Sequence, residues 1–491
     1  MSRTTIILGV SAAYLVICLV IGLIPGRKGS GTADAYVAGD RGLGLLLLYF
    51  IMGGTVFSSF AFLGLPGRAY SKGIAATYVL GYGTLAFVPV YFLGPRVARL
   101  GRHYGYVTQA EMVMGRFNSR AIAGWMAFIS TIAFVPYLAL QVKGSGYVIE
   151  VVSGGAIPEW VAGAVVYGIV VIYVLRSGVL GVGWTNTFQG IFMMVMAWVL
   201  GLYLPYRLYG GVDAMFAQIA EVRPELLVAP GLTSAGTTWG WGEYSSAVLV
   251  SAIGGFAWPH FFMKSFTARD ERTLKRTAIL FPTFQIFLIP LLFIGYCGVL
   301  FSSAPEQADQ ILPHMLVNLD LPALVVGLFC AGALAASMSS GDSMLHAAAS
   351  ILARDGAVAA TGKRMEPATE MQAIRALVVV VMVLAYGLAV AYTGSLVELL
   401  LWAYGPVVQF APVLLATLYW RRANGRAVLA GLAIGSMVNL VFVLWPEWRP
   451  FALHAGLYGL AVNATIMVLG SLLSAPDDDG EYLEVAARKT S

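Results

Sequence analysis

Along the chain, apolar residues gather into blocks of about 20, parted by short polar or glycine-rich stretches, from one end to the other. As a helix, each block spans roughly 30 Å, the thickness of a bilayer's hydrocarbon core. The pattern predicts an all-α integral membrane protein of about 13 transmembrane helices, near residues 5–24, 42–65, 73–96, 121–147, 157–175, 185–206, 244–264, 277–301, 322–352, 370–393, 396–419, 427–445 and 451–474. The first block has no basic leader and no small-residue cleavage site, so it reads as a retained span. Residues 1–475 then form one transmembrane unit, and the polar segment 476–491 reads as a disordered cytoplasmic tail.

Two blocks carry an interruption at matching places. The second reads "IMGGTVFSSFAFLGLPG" and the seventh "SAIGGFAWPHFF", with Gly53-Gly54 and Gly254-Gly255 in mid-span. Glycine pairs also let helices pack closely. Here Thr55, Ser58 and Ser59 follow one pair and Pro259 follows the other, which favours true helix breaks. The second to sixth spans, about 42–206, and the seventh to eleventh, about 244–419, then form two inverted repeats. Carbonyls freed at such breaks can bind a cation, because irregular backbone at that depth must be buried or line a cavity.

The ninth block is apolar at first and then turns polar, as "AASMSSGDSMLHAAASILARD" over residues 335–355. Ala336, Ser339 and Ser340 fall at i, i+3 and i+4 and share one helix face. Two hydroxyls there, with carbonyls from a broken helix, suit a hard monovalent cation; serines also cap and pack helices. Asp342 and His346 stand at i and i+4, a carboxylate and an imidazole placed to relay protons, unless His346 is simply wetted near the cytoplasmic face.

Composition agrees with this picture: 59% of residues are hydrophobic and 11% charged, with a mean hydropathy of +0.78. The formal charge of +5 follows topology and calls for no nucleic-acid partner. Arg27, Lys28, Arg41, Arg96, Arg99, Arg102, Arg116, Lys264, Arg269, Lys275, Arg354, Lys363, Arg364 and Arg421 all fall on one side of the expected topology, whereas the loop 303–321 has no Lys or Arg. The positive-inside rule places the N-terminus outside and the C-terminus in the cytoplasm. Cys18, Cys297 and Cys330 all lie in apolar spans and form no disulfide or zinc pattern. No catalytic motif is present in the spans, so no enzyme is expected.

Several segments carry a family resemblance when taken in order: "ADAYVAGDRGLG", "GLPG", "VTQAEMVMGRF", "GVLGVGWTNTFQG", "WPHFFMKSFTARD" and "AASMSSGDSML". They resemble the sodium:solute symporter family over essentially the whole chain. The resemblance implies a leucine-transporter-like fold, two inverted five-helix repeats with one helix before and two after. It implies a Na+ site made of the carbonyls of Gly54, Phe57 and Ala336 and the hydroxyls of Ser339 and Ser340. Family members often have an aspartate in a Trp-Thr-Asp-x-x-Gln segment, which helps form a second Na+ site in some of them. Here the segment is Trp184, Thr185, Asn186 and then Gln189, so one cation per solute is the expectation. Asp342, with Asn186 and His346, is the alternative second cation or proton site.

The "WPHF…TARD" segment is similar to the monocarboxylate, pantothenate and proline permease branch. That similarity implies cation-coupled symport of a small carboxylate in a bacterial inner membrane, with Na+ as the coupling ion and H+ as the alternative. Candidate solute-lining residues come from the breaks and facing helices: Thr55, Ser58, Ser59, Trp258, His260, Trp402, Tyr404 and Gln409. Lys143, just after Gln141 toward the outer end of the fourth span, either snorkels to the interface or pairs with the solute's carboxylate. The expected partners are the solute and the bilayer, with no obligatory protein partner. A proton-coupled carrier, a proline or pantothenate symporter, and a transporter-like sensor working with a separate signalling protein are the alternatives.

Overall fold

The computed structural model describes residues 2–27, 32–233, 235–394, 396–477 and 480–488. Lys28, and the side chains of Arg27 and Trp402, lie outside the described residues. Among the described residues the protein is helical, and extended pairing is limited to two isolated bridges, Leu43 with Ala268 and Leu232 with Thr238.

The helices that position the site are α1 (Arg3–Leu23), α2 (Leu45–Val56), α3 (Leu65–Lys72), α4 (Arg120–Val152), α5 (Glu159–Tyr209), α6 (Trp241–Ala257), α7 (Ala323–Ile351), α8 (Leu396–Val407), α9 (Ala455–Leu473) and α10 (Tyr482–Ala487). Nine helices among the described residues are long and apolar enough to cross a membrane, and the bent pair Trp241–Ala257 with Pro259–Thr267 makes ten. Three of the 13 expected spans are missing from that count. The second is cut short, because α2 has only 12 residues. The fifth and sixth run together in the 51 residues of α5. The eleventh divides into α8 and the helix Phe410–Tyr419.

Inside α5 the direction changes at Gly178, where φ is 52° and ψ −144°. Left-handed φ is strained for residues with a Cβ. A Cβ here would also come within 2.5–2.8 Å of the Tyr36 carbonyl and ring. Glycine therefore makes the corner between the two spans, in a stretch that the sequence pattern reads as a loop.

At the centre stands α7, in which every residue from Phe329 to Ile351 is buried. It packs against α1, α2, α4 and α5. A helix enclosed on all sides can carry polar groups at membrane depth, because other helices and not lipid surround them. By contrast α1 shows Val16, Ile17 and Val20 outward and buries Tyr14 and Cys18 against the bundle.

Part of the expected tail is ordered. In α10, Tyr482, Leu483, Val485 and Ala486 share a buried face. The Tyr482 hydroxyl donates to the Met112 carbonyl at 2.6 Å, and Arg99 donates to the carbonyls of Ala486 and Arg488 at 2.7 and 2.5 Å. This apolar face, short as it is, docks the segment on the side of the bundle rich in basic residues. Lys264, expected among the loop cations of that side, is itself buried, at 2% exposure.

Candidate cation and solute site

Both interruptions exist, and they fall at the same offset from their glycine pairs. Gly53 and Gly54 are still helical, and α2 ends at Phe57, which is extended with φ −89° and ψ 97°. Gly254 and Gly255 are likewise helical, and α6 ends at Trp258, with φ −56° and ψ 121°. Each break therefore lies three residues past the second glycine, a turn later than the glycines themselves suggested. After Trp258 the cause is Pro259, which has no N–H and disfavours helical geometry in the residue before it. After Phe57 side chains replace the helix bonds: the Ser59 N–H donates to Gln141 Oε1 at 2.8 Å and the Phe60 N–H to Ser58 Oγ at 3.2 Å.

The first break meets the serine face of α7. Ser340 Oγ donates to the Gly54 carbonyl at 3.1 Å, and Ser339 Oγ to the carbonyls of Phe57 at 3.4 Å and Ala336 at 3.2 Å. Both serines are fully buried. The approach is close: a Cβ on Gly54 would stand 3.2 Å from Asn186 Cβ and 3.4 Å from Ser339 Cβ, tighter than most side-chain contacts. All five oxygens are hard donors, and separations of 3.1–3.4 Å fit the edges of a cage around a cation about 2.3–2.6 Å from each.

A second polar cluster lies beside the first. Asp342 Oδ2 accepts from Tyr173 at 2.8 Å and Thr185 at 3.1 Å, while Oδ1 has no partner among the described residues. Asn186 Nδ2 donates to the Ser339 carbonyl at 2.9 Å and to Ser343 Oγ at 3.3 Å, leaving Oδ1 unpartnered. Thr55 Oγ1 reaches the same Ser343 hydroxyl at 2.8 Å. His346 does not join this cluster: its Nε2 lies 3.0 Å from the Tyr36 carbonyl, its ring lies against Tyr36, and it is fully buried, not wetted. No hydrogen bond links Asp342 to His346 among the described residues.

Of the expected solute-lining residues, Trp258, His260 and Tyr404 come together, with ring centroids 5.3 Å apart for Trp258–His260 and 5.5 Å for Trp258–Tyr404. They line a constricted cavity of about 20 Å³ together with Val56, Tyr82 and Tyr137, room for about one water. Trp258 Nε1 and His260 Nδ1 are buried without partners among the described residues. Ser58 and Ser59 sit at the break itself, Ser59 Oγ also unpartnered.

Three of the expected solute-lining residues have partners within the protein. Lys143 is held by Glu159, Nζ to Oε1 at 3.0 Å, and lies over the Tyr147 ring, so it is buried and paired, not snorkelling to the interface. Gln141 supports the break through Ser59 and accepts from Ser337 on its carbonyl at 2.7 Å, while its Nε2 is buried without a partner among the described residues. Gln409 donates to the carbonyls of Gly405 at 3.2 Å and Gly456 at 3.1 Å, and Asn463 donates to its carbonyl at 2.8 Å, so it binds the break after α8 to α9. Gln285 was not among the expected residues; its whole amide is buried without a partner among the described residues, in an adjoining cavity with Val56 and Tyr82. Its signal in the sequence was a single amide after Pro282 in an otherwise apolar stretch, "FPTFQIFLIP".

An all-helical membrane bundle with two interrupted helices, one of them closing an oxygen cage with a central serine helix, defines a carrier of the leucine-transporter type. More narrowly, residues 36–435 match the Sodium:solute symporter family, and the chain belongs to it. It is 29% identical over 478 residues to the uncharacterized symporter YhjB of Bacillus subtilis, covering 94% of this chain and 95% of that one. It is 25% identical to a monocarboxylate transport permease of Rhizobium johnstonii, with 95% and 97% covered, and 25% identical to sodium/proline symporter 2 of Staphylococcus saprophyticus, with 91% and 87% covered. In fold it is similar to a Na+-coupled sialic acid symporter in a substrate-bound outward-open state, with a TM-score of 0.80, 19% identity, and 96% and 99% of the two chains covered.

Proposed function

We propose that the protein is a secondary active transporter that couples inward movement of Na+ to symport of a small carboxylate, best a monocarboxylate, by alternating access in a bacterial inner membrane. The observation that carries this reading is the meeting of the Ser339 and Ser340 hydroxyls with the carbonyls of Ala336, Phe57 and Gly54. Na+ is bound there in place of the hydroxyl–carbonyl hydrogen bonds. Binding thereby ties the broken segment between α2 and α3 to α7. The solute sits between the two breaks, against Trp258, His260 and Tyr404.

The carboxylate is supported by two kinds of observation. The named relatives include a monocarboxylate permease and a sodium/proline symporter, and both solute types carry a carboxylate. The cavity between the breaks, with the one adjoining it, holds polar atoms on Trp258, His260 and Gln285 that have no partner among the described residues and that such a group can satisfy. The basic side of the bundle faces the cytoplasm, and the loops around residues 210–240 face outward.

A second reading is favoured by one observation: Asp342 Oδ1 and Asn186 Oδ1 are both buried and unpartnered. This pair takes a second cation or a proton.

Uptake of labelled pyruvate, lactate, acetate, proline and glucose into proteoliposomes tests the main reading, with an inward Na+ or H+ gradient in turn. Na+-driven carboxylate uptake that vanishes in Ser339→Ala/Ser340→Ala is expected. Uptake driven by H+ and indifferent to both serines contradicts it.

A further inference from the structure

Arg68 lies on α3, beyond the first break, and is only 7% exposed. Its guanidinium carbon stands 5.1 Å from the Tyr78 ring centre and 4.6 Å from that of Trp239. Among the described residues it makes one hydrogen bond, a marginal one from Nε to the Ala75 carbonyl at 3.5 Å, and no ion pair. The acidic group whose charge acts on it is Glu243, which forms no ion pair with it. Neither Nη of its N–H fork makes a hydrogen bond among the described residues, and ring faces attract the cation without accepting in its plane as a carboxylate does. A buried guanidinium with an empty fork is an unusual thing to keep, since buried cations are normally paired.

Its surroundings connect it to the solute cavity. Tyr78 packs on Tyr82 at 5.4 Å, Tyr82 on Tyr404 at 6.1 Å, and Tyr404 on Trp258 at 5.5 Å. This line of rings runs from the fork to the second break. Above it lies the 224–240 segment, where the Leu232 N–H donates to the Lys72 carbonyl at 3.1 Å. Trp239 sits in a small cluster with Ala75, Ala247 and Tyr244, apart from the main core.

We infer that Arg68, caged by Tyr78 and Trp239 under the 224–240 segment, is an outer anion subsite that takes the solute's carboxylate by its fork before the solute passes along the tyrosines to the cavity. This rests on the carboxylate reading above. It also supplies the counter-charge that Lys143, held by Glu159, does not. Arginine suits the task because its planar fork matches both carboxylate oxygens at once.

The test is saturation of Na+-driven pyruvate uptake in proteoliposomes of the full chain, comparing wild type, Arg68→Gln and Arg68→Lys. Loss of a charge-assisted bidentate pair raises the KM for pyruvate by about tenfold or more in R68Q, with Vmax and half-saturation by Na+ unchanged. R68K keeps the charge without the fork and gives a smaller rise, about threefold, and it serves as the measure if R68Q does not reconstitute. An unmoved KM, or a fall in Vmax alone, makes Arg68 a staple for the loop and overturns the subsite. If wild type takes up glucose but no carboxylate, the carboxylate reading falls and the subsite with it. Carboxylate uptake by wild type with variants of unchanged KM removes the subsite alone.

Discussion

Asp342 is the residue where chemistry and structure pull apart most. One carboxylate oxygen is fixed by Tyr173 and Thr185 and the other is unpartnered, at zero exposure. An ionisable group at that depth is a functional group by default. Asp342→Asn keeps an acceptor for Tyr173 and Thr185 and removes the charge. Na+-driven uptake is expected to stay within about threefold of wild type, while any H+-driven component disappears, because the Ser339–Ser340 cage is untouched. Opposed Na+ and H+ gradients in proteoliposomes check this, and loss of Na+-driven uptake in D342N would put a second Na+ at Asp342. At this scale the serine cage was legible, because Ala336, Ser339 and Ser340 repeat at helical spacing inside an apolar block. The pairing of Lys143 was not legible, because its partner, Glu159, stands on the next helix, and no spacing in one sequence reveals that pairing. The contacts of Gln409 were hidden in the same way: its partners, Gly456 and Asn463, lie about fifty positions away.

At the scale of elements, the two breaks were legible as glycine pairs followed by polar residues or proline. Their positions were not, since the backbone leaves the helix only where a substitute for the helix bonds is present: Gln141 and Ser58 at one break, Pro259 at the other. Gly178 makes the opposite case, a stretch that reads as a loop but stays helical on both sides of a single-residue corner. Gly178→Ala combines left-handed strain with a clash against Tyr36 and is expected to destabilise the protein by about 2–5 kcal/mol, read as a lower unfolding temperature in detergent. Helix ends carry smaller terms. Asp270 caps the helix Glu271–Leu280 by accepting from the Thr273 N–H at 2.7 Å. That bond, with help from Arg269, holds the carboxyl below the usual carboxylate range. A carboxyl whose pKa is lower folded than unfolded stabilises above its unfolded value, and the effect fades as pH falls through the folded value. Asp270→Ala is expected to lose about 1 kcal/mol near neutral pH, whereas Asp270→Asn keeps most of the cap and loses the dependence on acid pH.

For the whole molecule, α7 is the axis on which the account turns. Its serines meet the first break at mid-helix, and the chain continues directly into Arg354, which pairs with Glu370 at 2.5 Å, Glu111 at 3.4 Å and Asp34. The serine face and this ion-pair cluster therefore lie along one stretch of helical chain. The all-helical membrane class and most of the spans followed from hydropathy, because lipid imposes length and apolarity on each crossing, whereas the leucine-transporter-like arrangement came from the family resemblance. The docking of α10 did not, because six residues with a small apolar face look like a tail until a surface is present to receive them. The most direct measurement is equilibrium binding of 22Na+ to the purified protein, without solute, in wild type and Ser339→Ala/Ser340→Ala. Saturable binding in wild type that is lost in the double variant is the expected result. Equal binding in both would contradict a cation site on the serine face of α7.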